Sequence, residues 1–143
     1  MPSAEAALRT VAPRLVALAE GDATREVCGL VVGFPGGVEP WPFENRATDP
    51  RRAFALGPSD LLVALRRLEG EGRALLAVYH SHPSGGADLS RRDVDQALAD
   101  GAPLLGGVAQ LVVALERGRA VRVRAHRWKG DHFEGEDLWT PEQ

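Results

Sequence analysis

Two histidines separated by one residue, His80 and His82, stand at the end of a short apolar run, Leu75 to Tyr79, that reads as a buried strand. Residues two apart point to the same side of a strand, so both imidazoles reach one ion if the strand continues through the pair. Asp93 lies eleven residues beyond His82, in the first turn of the next helical segment, where its carboxylate can turn back across the loop Ser84-Gly85-Gly86. Two neutral imidazoles and one carboxylate form a borderline-hard donor set suited to Zn2+, and they leave a fourth tetrahedral position for water. A plainer reading uses the same residues: the histidines face solvent in a polar loop, and Ser90-x-x-Asp93 is only a helix-capping motif. Spacing alone leaves both open.

Other residues offer less chemistry. Cys28 is the only cysteine, which excludes an internal disulfide and a cysteine-based zinc cluster. It lies in an apolar strand, where a thiol packs rather than reacts. His126 and His132 are six residues apart with no accompanying ligand cluster, which points to surface or supporting roles rather than a second metal pair. Ser84-Gly85-Gly86 lacks the basic residue of a phosphate-binding loop and reads as a flexible bend. Trp41, Trp128 and Trp139 fit either core anchors or parts of a substrate surface.

The run His80-Ser81-His82-Pro83, followed by Ser90 and then Asp93, resembles the JAMM motif of MPN-domain metalloproteases, H-x-H-x7-S-x2-D. Upstream, Glu26-Val27-Cys28-Gly29-Leu30 is similar to the Glu-x-Cys-Gly segment of that family, and Asn45, Asp49 and Phe54 look family-like too. The resemblance extends from Glu26 through the segment Val108 to Arg127, and places the chain with the stand-alone prokaryotic branch. It departs at Leu89, where many relatives carry proline, and at Pro13 in the N-terminal helix. Neither change removes a functional group.

The resemblance implies an α/β (α+β) single domain over residues 1–143, a cytidine-deaminase-like sandwich of a mixed β-sheet and helices, with 128–143 a less certain tail. It implies His80, His82 and Asp93 as ligands of zinc, and Glu26 beside the water that the metal activates. That carboxylate would take the proton of the water and later deliver it to the leaving amine. Ser90 is then a donor to the developing oxyanion rather than a nucleophile. Compact bacterial members resemble isopeptidases acting after the C-terminal Gly-Gly of ubiquitin-like sulfur-carrier proteins, so such a carrier is the expected partner. A non-hydrolytic alternative comes from the same superfamily, because His80-Ser81-His82-Pro83-Ser84-Gly85 is similar to His-Asn-His-Pro-Ser-Gly in a DNA-repair-associated branch. The Glu-x-Cys-Gly match and the complete ligand set favour the peptidase.

Composition agrees with that reading. The 143 residues are 44% hydrophobic and 26% charged, as in an ordinary globular domain. Twenty acidic residues against 17 basic ones give a net charge of -3, which argues against non-specific nucleic-acid binding. Arg117, Arg119, Arg122, Arg124 and Arg127 read as the solvated face of a strand. The chain shows no membrane-length apolar run and no signal-like N-terminus, so the expected location is the cytoplasm.

The elements that must hold these residues follow from periodicity. Leu8, Val11, Ala12, Leu15, Leu18 and Ala19 form a helical stripe between Ser3 and Glu20, which Pro13 either kinks or divides. Val27 to Phe34 reads as a buried strand with Glu26 at its entrance, and Val38 to Asn45 as an edge or irregular strand because of Pro40 and Pro42. A short extended piece is expected at Ala53 to Leu56. A capped helix follows Pro58 and Ser59 and ends near Gly70 or Gly72. A further helix is expected from Ser90 to Asp100, stopped by Gly101. Gly107 to Leu115 and Ala120 to Arg127 are strands joined by a hairpin at Glu116 to Arg119.

Overall fold

The computed structural model describes residues 3–142. Helix α1 (Ala4–Gly21) starts at Ser3, whose hydroxyl accepts the Ala6 N–H at 3.1 Å. It runs unbroken through Pro13, which lies on its exposed side, while Leu8, Val11, Ala12, Leu15 and Ala19 are fully buried. Pro13 therefore does not divide the helix. The apolar stripe, which packs against the sheet, outweighs the one hydrogen bond that the ring removes.

Strands β1 (Cys28–Phe34) and β2 (Gly37–Phe43) form a hairpin, followed by helix α2 (Pro58–Glu71) and strand β3 (Ala74–His82). Helix α3 (Arg91–Ala97) leads into two short strands, β4 (Leu98–Ala99) and β5 (Ala102–Pro103). Strands β6 (Ala109–Glu116), β7 (Arg119–Trp128) and β8 (Phe133–Trp139) complete the chain. Six strands make one sheet in the order β2-β1-β3-β6-β7-β8. Only β3 and β6 run parallel, so the sheet is mixed.

Alternation along each strand builds two layers. Val31, Ala77, Tyr79, Leu111, Val113 and Val123 face α1, whereas Cys28, Leu30, Val32 and Val78 face α2 and Phe54. The sandwich is an α/β arrangement, with the sheet covered on both sides.

Some elements match sequence expectation and others differ for identifiable reasons. The helix expected to reach Asp100 stops at Ala97, because Asp100 (φ 53°) and Gly101 (φ 76°) turn the chain back and pair β4 with β5. Helix α2 begins at Pro58 itself rather than after Ser59, with Gly57 as its cap. Ala53 to Leu56 joins no strand, although Ala53 and Phe54 are buried. The hairpin between β6 and β7 turns on Arg117 (φ 52°) and Gly118 (φ 80°), two positive angles that suit a tight hairpin despite the absence of an Asn-Gly pair. The C-terminal segment forms β8, an antiparallel edge strand on β7, with Leu138 buried and Trp139 packed on the α1 side.

Gly29 in β1 meets a tight constraint. A Cβ there would collide with the Trp41 carbonyl oxygen and stand 2.8 Å from the Tyr79 hydroxyl. The first contact is backbone and cannot swing aside. Gly29→Ala is therefore expected to destabilise the fold by about 2–3 kcal/mol. Denaturant titration reads this directly, and an unchanged midpoint would contradict the packing of β1 between β2 and β3.

Candidate metal centre

Strand register brings the separated motifs together. Cys28 pairs with His80 and Gly29 with Tyr79, so continuing the antiparallel register sets Val27 across from Ser81 and Glu26 across from His82. The Ser81 N–H donates to the Val27 carbonyl at 2.9 Å, in keeping with that extension. Side chains two apart share a face, so Glu26, His80 and His82 all stand on the α2 side of the sheet. The strand does continue through His82, the condition on which the pairing of the imidazoles depended.

Asp93 arrives from α3. Its backbone N–H donates to Ser90 Oγ at 3.0 Å, and its Oδ2 accepts from the Ser90 N–H at 2.9 Å, a complete capping box. The same Oδ2 lies 3.1 Å from His80 Nε2 and 3.1 Å from His82 Nε2, while the two Nε2 atoms are 3.1 Å apart. The cap and the ligand triangle thus use one carboxylate oxygen, and the two readings of Ser90-x-x-Asp93 coexist.

Three features show that this triangle fits a cation. First, tetrahedral zinc ligands at 2.0–2.2 Å stand roughly 3.3–3.6 Å from one another, close to the observed edges. Second, His82 Nδ1 is 2.8 Å from the Gly86 carbonyl, to which only an N–H can donate, so neutral His82 carries its lone pair on Nε2. A lone pair aimed at a carboxylate repels it unless a positive charge lies between them. Third, His80 Nδ1 and Glu26 Oε1 are buried without hydrogen-bond partners, the kind of orphan that marks a functional site. Together Glu26, His80, His82 and Asp93 offer ligand atoms within 4.8 Å of one another, a cluster able to hold one metal ion.

Charge balance supports distinct roles. Burial pushes the Glu26 carboxyl up to about 7, with His82 and Arg92 pulling it down and Asp93 pushing it further up. Burial acts in the same direction on Asp93, yet a hydrogen bond from the His80 imidazole and another from the Ser90 N–H outweigh it and hold this carboxylate well below its usual range. Burial also pushes His80 down, which keeps it neutral. Asp93 is therefore held as the anion, while burial sets the Glu26 carboxyl near neutrality. Cys28 is driven up to about 12, first by burial and then by Glu26, which suits a packing thiol rather than a nucleophile.

A supporting shell was less legible. Ser81 turns away from the triangle, and its hydroxyl accepts the Val27 N–H at 2.8 Å, tying β3 to the backbone beside Glu26. The Asn45 amide donates to the Glu26 and Ala53 carbonyls, both at 2.9 Å, and its oxygen accepts from Ala47 and Ala55. That hub fixes Glu26 and the segment of Phe54 together, and Phe54 stacks on His80 with centroids 4.2 Å apart. Asn45 and Phe54 stood out in the sequence without a role. Ser81 was hidden as the spacer between the histidines, although a small polar residue inside an apolar strand is itself a signal.

The remaining histidines do not converge. His126 meets the Ala87 carbonyl, while His132 pairs with Asp131 on the surface. Arg119, Arg122, Arg124 and Arg127 each face a carboxylate, which neutralises the basic stripe locally. Trp41 lies under Arg67 at 4.5 Å, and Trp128 meets Phe133 edge-on. Among the described residues, no helix is long and apolar enough to cross a membrane.

Known proteins supply the family. Residues 9–129 match the family described as prokaryotic homologs of the JAB domain. A Thermus thermophilus protein named a probable TtuB-protein conjugate cleaving protease is 42% identical over 76 residues, covering 53% of this chain and 51% of that protein. The match therefore spans only about half the length of that relative. A Haloferax volcanii desampylase is 31% identical over 118 residues, covering 80% of this chain and 78% of its own. Two solution structures share the fold. One, from Desulfitobacterium hafniense, has a TM-score of 0.67 at 24% identity and covers 89% of this chain and 86% of its own. The other, from Salinibacter ruber, has a TM-score of 0.53 at 22% identity and covers 91% and 90%. With the matched region reaching from α1 to the end of β7 and the His80, His82, Asp93 and Glu26 cluster inside it, the chain belongs to the prokaryotic JAB-domain branch of the JAMM/MPN family.

Proposed function

We propose that this protein is a zinc-dependent isopeptidase that hydrolyses the amide bond after the C-terminal Gly-Gly of a small ubiquitin-like or sulfur-carrier protein. The observation that carries the chemistry is the 3.1 Å triangle of His80, His82 and Asp93 with the buried, unpaired Glu26 carboxylate beside it. His80, His82 and Asp93 would hold the zinc, which would supply Lewis acidity for acidifying water and polarising the scissile carbonyl. Glu26 takes a proton from the attacking water as the carbon–oxygen bond forms. It returns that proton to the amide nitrogen as the carbon–nitrogen bond breaks, so hydrolysis yields an acid and an amine with no other reactant.

Ser90 is the proposed donor to the oxygen that gains charge. Its Oγ accepts from Asp93, which leaves the hydroxyl proton free to donate. Ser90→Ala is expected to retain zinc, lose about 100-fold in kcat, and lose about 1 kcal/mol of stability with the cap. Turnover assays on the folded variant check this, and a kcat equal to the parent would remove Ser90 from the chemistry.

The substrate class draws on the family and on the Thermus relative, which is named for cleaving a protein conjugate. Glycines at the end of the carrier would pass where side chains cannot. Mass spectrometry can compare carrier conjugates ending in Gly-Gly with matched Ala-Ala forms. Cleavage of the Gly-Gly forms alone is the expected result, and efficient cutting of unrelated peptides with neither conjugate touched would overturn the carrier assignment. The cytoplasm is the proposed location, in keeping with a lone buried Cys28 and no disulfide chemistry. Cell fractionation reads it.

A further inference from the structure

His82 owes its tautomer to the Gly86 carbonyl, and that carbonyl sits in a turn with little rigidity of its own. Gly85 (φ 97°) and Gly86 (φ 88°) both adopt backbone angles that side chains disfavour, and neither carries a side chain that could anchor the turn. The next residue supplies the anchor. Ala87 is buried against Val112 and Ala114, and its carbonyl lies 2.8 Å from Nε2 of His126. A carbonyl only accepts, so His126 carries its proton on Nε2 and donates.

His126 is 5% exposed on β7, two strands across the sheet from β3. Gly135 on β8 lies against it, where a Cβ would stand 2.9 Å from Arg124 Nε and 3.0 Å from His126 Nδ1. Arg124 reaches Asp88 at 3.2 Å on the same turn, but that exposed pair contributes little. The buried contact is the firm one. A continuous path therefore runs from His126 to the Ala87 carbonyl, through one peptide unit to the Gly86 carbonyl, and on to His82 Nδ1.

We infer that His126 is a positioning residue for the metal centre: by pinning the Gly86–Ala87 turn it fixes the orientation and tautomer of His82. This inference rests on the zinc reading above. Groups that orient a ligand histidine typically change metal affinity about 10- to 100-fold when removed.

Two substitutions separate the hydrogen bond from the bulk of the ring. His126→Phe keeps an aromatic ring without the donor, and His126→Gln keeps an N–H donor without the ring. Zinc affinity is measured by competition with a chromophoric chelator, and the ring-nitrogen resonances of His82 are followed in the metal-free protein. The expected result is about 10- to 100-fold weaker zinc binding for His126→Phe with loss of the single Nδ1–H signature of His82, and recovery of most of the affinity in His126→Gln. Thermal unfolding of the metal-free forms separates loss of the centre from loss of the fold. Unchanged affinity and an unchanged His82 signature in folded His126→Phe would overturn the inference, as would equal loss in the Gln variant. Should His126→Phe fail to fold, Gly135→Ala presses on the same imidazole and is expected to weaken zinc binding in the same direction, with no change overturning it. If the parent protein binds no zinc, the metal reading falls, while the His82 resonances still judge the His126 contact separately.

Discussion

Glu26→Gln is expected to fold, bind zinc and lose roughly 100- to 10,000-fold in turnover, the range for removal of a general acid–base. The substitution keeps the size of the side chain and its place across from His82, because the backbone there is held by other groups. Pro50 accepts the Glu26 N–H at 2.7 Å, and Asn45 donates to its carbonyl. What changes is proton affinity. The carboxylate is buried, makes no hydrogen bond through Oε1, and sits near 7, whereas an amide can neither take nor return the proton. The folded state has no obvious use for an unpaired buried carboxylate, so the variant is also expected to be no less stable than the parent. Near-parent turnover in the zinc-loaded variant would reject the role.

His80→Ala, His82→Ala and Asp93→Ala are each expected to reduce zinc content from about one per chain to a small fraction, because the three atoms form one closed triangle and catalytic zinc uses three protein ligands. The variants should differ in stability. His80 is fully buried and stacked on Phe54, so its loss opens a cavity. Asp93 also completes the cap of α3, so its loss frees the Ser90 N–H as well. His82 is the least entangled of the three. Chelation of the parent should lower its melting temperature for a related reason: a ligand that binds only the folded state stabilises it by mass action. Full zinc stoichiometry in all three variants, measured by elemental analysis, would remove the centre.

The convergence of His80, His82 and Asp93 was legible because chemistry and periodicity agree there. A strand places i and i+2 on one face, which is all that His80 and His82 require, and a capping box places Asp93 at a helix start. Glu26 was not legible from spacing, because its approach to His82 depends on an antiparallel register between β1 and β3 that no local pattern encodes. Only the family resemblance supplied it. Elements held by tertiary contact were hardest to read. The segment of β8, with three acidic residues and one glycine among its seven, carries weak strand propensity and becomes a strand by pairing with β7. The continuation expected after Ala97 failed because Asp100 takes a left-handed conformation one residue before Gly101 and folds the chain back early. His126 carried no motif at all, since its partner is a backbone carbonyl thirty-nine residues away.

Cleavage after a carrier's Gly-Gly is proposed to need zinc held by His80, His82 and Asp93, with Glu26 beside it. Intact-mass analysis of a single Gly-Gly conjugate tests it most directly, using the parent protein as purified, after chelation, and after return of one equivalent of zinc, with zinc-loaded Glu26→Gln alongside. The expected result is cleavage after the second glycine by the first form, none after chelation, recovery with zinc, and at most trace cleavage by Glu26→Gln. Cleavage at that bond by the fully chelated protein, or no cleavage by the zinc-restored parent, would contradict it.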